Sequence, residues 1–288
     1  MVLVLAATTC AVAIASGCGS SGTAGSAGRT TVVTAFYPLA YAAEVVGGTS
    51  VAVRNLTPPG AEPHDVELTA RDVGALQHAD VVLYLSHGFQ PAVERAVKDA
   101  SGERVDVLDG LALKDGAGDE GGTTDPHVWL DPVLYARVVE RVGQVLRRPR
   151  PARALAARVR GLDGDYRRGL ARCARRELVT SHAAFGYLAA RYRLRQIAIT
   201  GIDPESEPSA QRLGALARLV RRERIRTVFF ERLVSPKLAE TVAREAGAQT
   251  AVLDPIEGLT PAEERRGDTY LTLMRRNLHE LRTALGCT

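Results

Sequence analysis

Lysine is almost missing from this 288-residue chain: of 37 basic residues only Lys98, Lys114 and Lys237 are lysine, so the positive charge belongs to arginine. None of the three follows a glycine, which removes any phosphate-binding Gly-x-x-x-x-Gly-Lys loop and with it an ATPase of that kind. Aromatic residues reach only 5% and do not interleave with the arginines between Arg147 and Arg176, and no nucleic-acid motif occurs, so nucleic-acid binding is set aside. That arginine cluster could meet an anionic membrane or a partner, but a solvated helix face is the reading we favour. His279-Glu280 lacks a second histidine four residues after the first, which excludes a zincin motif. With 45% hydrophobic and 24% charged residues, the composition is that of a globular protein with room for two cores.

Met1–Gly17 holds no charge at all and is mostly apolar or small. It falls short of the roughly 20 residues a membrane-spanning helix needs and reads as a signal peptide. Ile14-Ala15-Ser16-Gly17-Cys18 resembles a bacterial lipobox, which would make Cys18 a lipid-anchored N-terminus; plain secretion is the alternative. Residues 18–29 follow as a flexible tether, since Gly19–Gly28 contains only Gly, Ser, Ala and Thr. With Cys18 acylated, Cys173 and Cys287 remain. In an exported protein they form either a disulfide or two free thiols, and the even count favours the disulfide.

Eight short β-type runs fall in two sets of four: Thr31–Phe36, Val51–Leu56, Asp80–Leu85 and Arg104–Leu108, then Glu177–Ser181, Gln196–Thr200, Thr227–Glu231 and Gln249–Leu253. Helix-period stretches separate them, which predicts an α/β protein of two similar lobes, each a mostly parallel four-stranded sheet flanked by helices. Between the sets, helices are expected over Pro132–Arg148 and Pro151–Ala174, the second a long rigid connector. The expected division is a first lobe over 30–148, the connector over 149–174 and a second lobe over 175–288. The Gly-rich, acidic Asp115–Asp125 is expected to be a surface loop.

Of the six histidines, three occupy special places. His64 lies in the loop leaving the second strand, His127 precedes a helix in Asp125-Pro126-His127-Val128-Trp129-Leu130-Asp131-Pro132, and His182 directly follows the fifth strand. Ligands of open α/β sheets gather at the C-terminal strand ends, where His64, His182 and Asp254 all fall. Three neutral imidazoles and a carboxylate suit Zn²⁺, and a carboxylate bound through both oxygens would admit Mn²⁺. His87, ending the third strand, is expected behind such a site or at the surface, and His78 and His279 at ordinary exposed helix positions.

The words around these histidines resemble the ZnuA-like and TroA-like metal-binding proteins of ABC importers. Pro59-Gly60-Ala61-Glu62-Pro63-His64-Asp65 is similar to their first histidine motif, Asp125–Pro132 to their second, and Ser181-His182-Ala183-Ala184-Phe185-Gly186-Tyr187 to their third. The resemblance runs in the family's order from about Thr30 to the C-terminus. It implies metal ligands His64, His127, His182 and Asp254, and a protein with no catalysis of its own. It further implies a monomeric lipoprotein held outside the cell membrane by Cys18, which captures Zn²⁺ or Mn²⁺ and delivers it to a permease and its ATPase. His182, where manganese-type members often have Glu, favours zinc; a manganese-specific component is the alternative. The chain departs from the pattern in its histidine-free acidic loop and in Arg232 after Glu231. Rival readings are a metal-dependent hydrolase, with Glu62 or Glu231 as base, and a surface adhesin.

Overall fold

The computed structural model describes Val2, residues 28–116 and residues 123–288. The signal-peptide segment, Cys18, nearly all of the tether and the middle of the acidic loop lie outside the described residues.

The first lobe runs β1 (Thr30–Thr34), α1 (Tyr37–Gly47), β2 (Val51–Asn55), α2 (Ala70–Gln77), β3 (Val81–Tyr84), α3 (Pro91–Val97) and β4 (Glu103–Asp106). Two two-residue strands follow, β5 (Lys114–Asp115) and β6 (Thr124–Asp125), then α4 (Pro132–Val145) and α5 (Pro149–Gly169). The second lobe runs β7 (Glu177–Thr180), α6 (Gly186–Tyr192), β8 (Arg195–Ala198), α7 (Ala210–Arg222), β9 (Thr227–Phe230), α8 (Lys237–Ala246), β10 (Gln249–Val252), α9 (Pro261–Arg266) and α10 (Tyr270–Leu285). All eight expected strands form, each a residue or two shorter than its apolar run. The antiparallel pairing of β5 with β6, at the two ends of the acidic segment, was not expected from a Gly-rich stretch.

Both lobes have the same all-parallel topology. The first sheet is ordered β2-β1-β3-β4 and the second β10-β9-β7-β8, so in each the chain starts in the middle and reverses direction of travel once. Such an order opens a crevice at the strands' C-terminal ends, between the first strand and the third. In the second lobe that crevice lies between β7 and β9, and His182 and Glu231 follow those two strands.

Helix α5 starts at Pro149, as the expected connector does, but two residues before the expected helix Pro151–Ala174, and it ends earlier, at Gly169. Arg147 adopts a left-handed φ of 54°, which stops α4 at Val145, and Pro149 then opens α5 as its first residue. Proline suits that position because its missing N–H has no partner in the first turn anyway. The α4–α5 hairpin is tight: a Cβ on Gly143 would collide with the Ala152 side chain. Along α5 the buried Ala152, Leu155, Ala156, Val159, Leu162 and Tyr166 form one stripe, and the exposed face carries arginines, several paired as Arg160–Glu140, Arg167–Asp163 and Arg168–Asp165. This is the solvated face that composition favoured.

The lobes share one core. Its buried side chains run from β1 and α1 through α4 and α5 to α10, while a smaller cluster around Val179, Val220 and Val228 packs α7 and α8 on the second sheet. Helix α10 belongs by sequence to the second lobe but buries Tyr270 against the first, its ring 4.2 Å from Tyr135. The Tyr270 hydroxyl donates to the Trp129 carbonyl and the Tyr166 hydroxyl to the Met274 carbonyl. A buried seam with its polar atoms satisfied resists large hinge motion.

Cys173 and Cys287 are joined by a disulfide across 114 residues, tying the C-terminal end to the segment after α5. Flanking backbone bonds, Ala174 N–H to the Gly286 carbonyl and Thr288 N–H to the Arg172 carbonyl, hold the same junction. Reduction is therefore expected to destabilise by about 2–4 kcal/mol, the usual range for such a link. In a domain of this size that lowers Tm by roughly 5–10 °C, measurable by calorimetry with and without reductant.

Candidate metal centre

Four buried side chains converge where the lobes meet: His64, His127, His182 and Glu257, with donor atoms all within 4.8 Å of one another. Each comes from a strand exit or helix entrance. His64 sits in the loop after β2, His127 in the turn before α4, His182 two residues past the end of β7, and Glu257 in the loop between β10 and α9. His127, His182 and Glu257 have fully buried side chains, and that of His64 is 7% exposed.

Two of the imidazoles are oriented from behind by carboxylates. Asp125 Oδ1 lies 2.8 Å from His127 Nδ1 and also accepts the His127 backbone N–H. Glu231 Oε1 lies 2.7 Å from His182 Nδ1 and accepts that backbone N–H as well. A carboxylate only accepts, so each Nδ1 carries a proton and each Nε2 faces the centre, where its lone pair is free for a cation once that nitrogen is deprotonated. The two Nε2 atoms face each other at 3.3 Å. His64 Nε2 and both Glu257 oxygens are buried without a hydrogen-bond partner. Buried acceptors pointing at one another are strongly unfavourable alone and become favourable around a cation.

The spacing suits a small tetrahedral ion. Glu257 Oε1 stands 3.2 Å from His127 Nε2 and 3.5 Å from the Nε2 atoms of His64 and His182. Bonds of about 2.0–2.1 Å in tetrahedral geometry place donors roughly 3.3–3.4 Å apart.

Burial and charge act against each other here. Burial holds the His64 imidazole below its ordinary pKa. Burial also opposes the charge on His127 and His182, but Asp125 and Glu231 outweigh it and raise both, His182 strongly. For Glu257 burial favours the neutral acid, yet the facing histidines hold it well below the usual carboxylate range. Glu62 has no such help: burial, then the Glu257 charge, push it up to about 9, and its Oε1 accepts the His64 backbone N–H.

The three histidines expected from the sequence are brought together; Asp254 is not in the group. It stands at the root of the loop that carries Glu257. Its Oδ1 accepts the Ile256 N–H at 2.7 Å, its backbone pairs in both directions with the Asn277 amide, and its Oδ2 lies 3.9 Å from Arg232 Nε. Burial pushes its pKa up to about 7. The physical reason is reach: two residues past the end of β10 the chain is still beside α10, and the turn through Ile256 (φ 58°) delivers the next carboxylate, Glu257, into the centre. The sequence does offer that cue, a second acid three residues on in Asp254-Pro255-Ile256-Glu257, but no period or spacing favours it over Asp254. Arg232, a departure from the family pattern, has a structural account: its Nε lies 3.3 Å from Glu263 Oε1, at the helix that closes the Glu257 loop.

His87 is exposed with a φ of 68° and meets Thr124 Oγ1 at 3.5 Å, outside the centre. His78 is exposed at the end of α2 with Nδ1 2.8 Å from the Gly74 carbonyl, and His279 is exposed on α10. Glu257→Ala should therefore weaken metal binding by more than about 100-fold, beyond the 10–100-fold typical of outer partners, whereas Asp254→Asn should fall inside that range. Competition titration of both variants checks this; the reverse order would return the fourth position to Asp254.

Comparison with known proteins places the chain among metal-uptake proteins. Residues 32–284 match the family model ZnuA, zinc-uptake complex component A, periplasmic. The chain is 36% identical over 287 residues to the zinc-binding protein AdcA of Streptococcus pyogenes serotype M6, covering 88% of this chain and 56% of the relative. It thus spans little more than half the length of that relative. It is 32% identical over 295 residues to the high-affinity zinc uptake system protein ZnuA of Bacillus subtilis, covering 93% of this chain and 92% of that one. Among solved structures, the laminin-binding protein Lmb of Streptococcus agalactiae, described as an adhesin with metal-transporting activity, superposes with a TM-score of 0.81 at 30% identity, covering 89% of this chain and 99% of that one. The Zn(II)-bound ZnuA-like domain of Streptococcus pneumoniae AdcA does so at 0.76 and 33%, covering 90% of this chain and 99% of that one. With matched fold, matched motifs and a family model spanning nearly all of the described residues, the chain belongs to the ZnuA family of zinc-uptake component A proteins.

Proposed function

We propose that this protein captures Zn²⁺ outside the cell membrane and delivers it to the permease of an ABC importer, with His64, His127, His182 and Glu257 as the ligands. The observation that carries the reading is the buried group of three imidazoles and one carboxylate, in which His64 Nε2 and both Glu257 oxygens are left without hydrogen-bond partners. The zinc-binding names of relatives that match over most of this chain support the same metal. Zinc is the cargo here, and three nitrogen donors favour it over Mn²⁺, which also stands lower in the divalent affinity order. All four donor groups converge on one place, and Asp125 and Glu231 are held by histidines, which favours storage and hand-off over hydrolysis. A lipid anchor at Cys18 would keep the protein beside its permease and ATPase.

Metal analysis of the purified protein followed by Zn²⁺/Mn²⁺ competition tests the reading; a tighter manganese constant would overturn the choice of metal. Protons should compete with zinc for the imidazoles. Because His127 and His182 have raised pKa values, that competition begins above the ordinary imidazole pKa of about 6.5. Zinc affinity is therefore expected to rise with pH through about 6–8. The apo protein should show the opposite trend: stability from these raised histidines is complete below about 6.5 and is lost as pH rises through their folded pKa values. The zinc-induced increase in Tm should accordingly grow from about pH 6 to about pH 8, and a flat difference would contradict the assigned protonation.

A further inference from the structure

Gly186 is the first residue of α6, with an ordinary helical φ of −58°, so its backbone does not require glycine. What does require it is a neighbour from the other lobe. A Cβ built on Gly186 would lie 2.6 Å from Asp125 Oδ2, closer than carbon approaches a carboxylate oxygen. Asp125 is the residue whose other oxygen, Oδ1, grips His127. Its side chain is buried, so it has no solvent to move into. The next residue holds the same aspartate from another side: the Tyr187 hydroxyl donates to the Asp125 carbonyl at 2.9 Å and accepts the Lys114 N–H at 2.9 Å. Lys114 and Asp125 are themselves paired across β5 and β6. Tyr187 therefore holds Asp125 by its backbone, and Gly186 leaves room for its carboxylate.

We propose that Gly186 is a positioning residue for the metal centre: by lacking a side chain it lets the Asp125 carboxylate seat against the start of α6, so the segment that bears His182 also sets the orientation of His127. The inference rests on the zinc-site reading above. It gives the Gly-Tyr end of Ser181-His182-Ala183-Ala184-Phe185-Gly186-Tyr187 a task that helix formation does not explain. His182 is placed by the start of this segment, and His127 is held through its end. The two ligands, from different lobes, are coupled through a buried contact as well as through the ion.

The test is a double-mutant cycle on the full chain, read by zinc competition titration and by the visible spectrum of the cobalt-loaded protein, whose ligand-field bands report donor geometry. Gly186→Ala is expected to weaken zinc binding by about 10–100-fold, as loss of an outer partner does, and to shift the cobalt bands. In an Asp125→Ala background the same substitution should add less than about twofold, because the atom it displaces is gone. A Gly186→Ala protein within about twofold of wild type overturns the proposal, as does an equal loss in both backgrounds. If Gly186→Ala prevents folding, recovery of the fold in the double variant supports the proposal, and failure of both overturns it. His127→Ala serves as the control on the underlying reading: if it leaves zinc affinity intact, the site assignment fails, whatever Gly186 does.

Discussion

His127→Ala is expected to weaken zinc binding by roughly 10²–10³-fold while leaving the fold intact. The magnitude follows from the ligand count. Apparent free energies of about 10–16 kcal/mol for a four-donor zinc site put about 2.5–4 kcal/mol on each donor. His127 is a severe case because its loss also removes the partner of Asp125, leaving a buried carboxylate with only a backbone N–H. The fold should survive, since the surrounding Phe36, Phe89 and Trp129 stack with one another without it: Phe36 lies 4.8 Å from Phe89 and 4.7 Å from Trp129. Zinc affinity by chelator competition, with circular dichroism of the apo variant as the folding control, checks the result. Affinity within about tenfold of wild type would rule out His127 as a direct ligand.

Trp129→Ala is expected to produce the largest loss of stability, about 3–5 kcal/mol, the usual range for truncating a buried aromatic. In a chain of this size that lowers Tm by about 10 °C. The side chain is 2% exposed and fills the space between the aromatic cluster of the first lobe and the His127 ring, whose centroid is 5.0 Å away. Its indole N–H donates to the Pro255 carbonyl at 2.7 Å, two residues before Glu257. Stability and zinc affinity should therefore fall together. Trp129→Phe separates the two effects: it keeps most of the packing and removes only the hydrogen bond, which is worth about 1 kcal/mol. If Trp129→Phe kept full zinc affinity, the contact to Pro255 would not help hold the Glu257 loop. Calorimetry and zinc titration on both variants decide.

Much of the architecture was legible because it is written in short stretches. Apolar runs of four or five residues alternating with helix-period segments specify parallel α/β lobes, and Pro149 and Pro151 mark the start of the connector. Exact limits were less legible. Whether α5 begins at Pro149 or Pro151 depends on where α4 stops, and α4 stops at the left-handed Arg147, an arginine whose sequence context carries no such signal. The histidines were legible through their motifs. Asp254 was the natural choice of carboxylate from its place after the last strand, and its spatial displacement by Glu257 turns on a positive φ at Ile256, a β-branched residue that rarely adopts one. Glu231 was visible only as an acid near a strand end; its contact with His182 spans 49 residues and needs β7 and β9 to be neighbours.

The sequence by itself determined the family, the two-lobe α/β plan, the three histidines and the even cysteine pair, because local pattern and motif encode elements and the words at their ends. The tertiary structure alone decided the rest: the placement of Glu257 rather than Asp254 beside the three histidines, the carboxylates behind His127 and His182, the Cys173–Cys287 link and the return of α10 across the first lobe. Those features depend on which strands lie side by side and on loop dihedrals of single residues. A buried charge finds its partner by distance in space, and distance in space is what hydrophobic period leaves open.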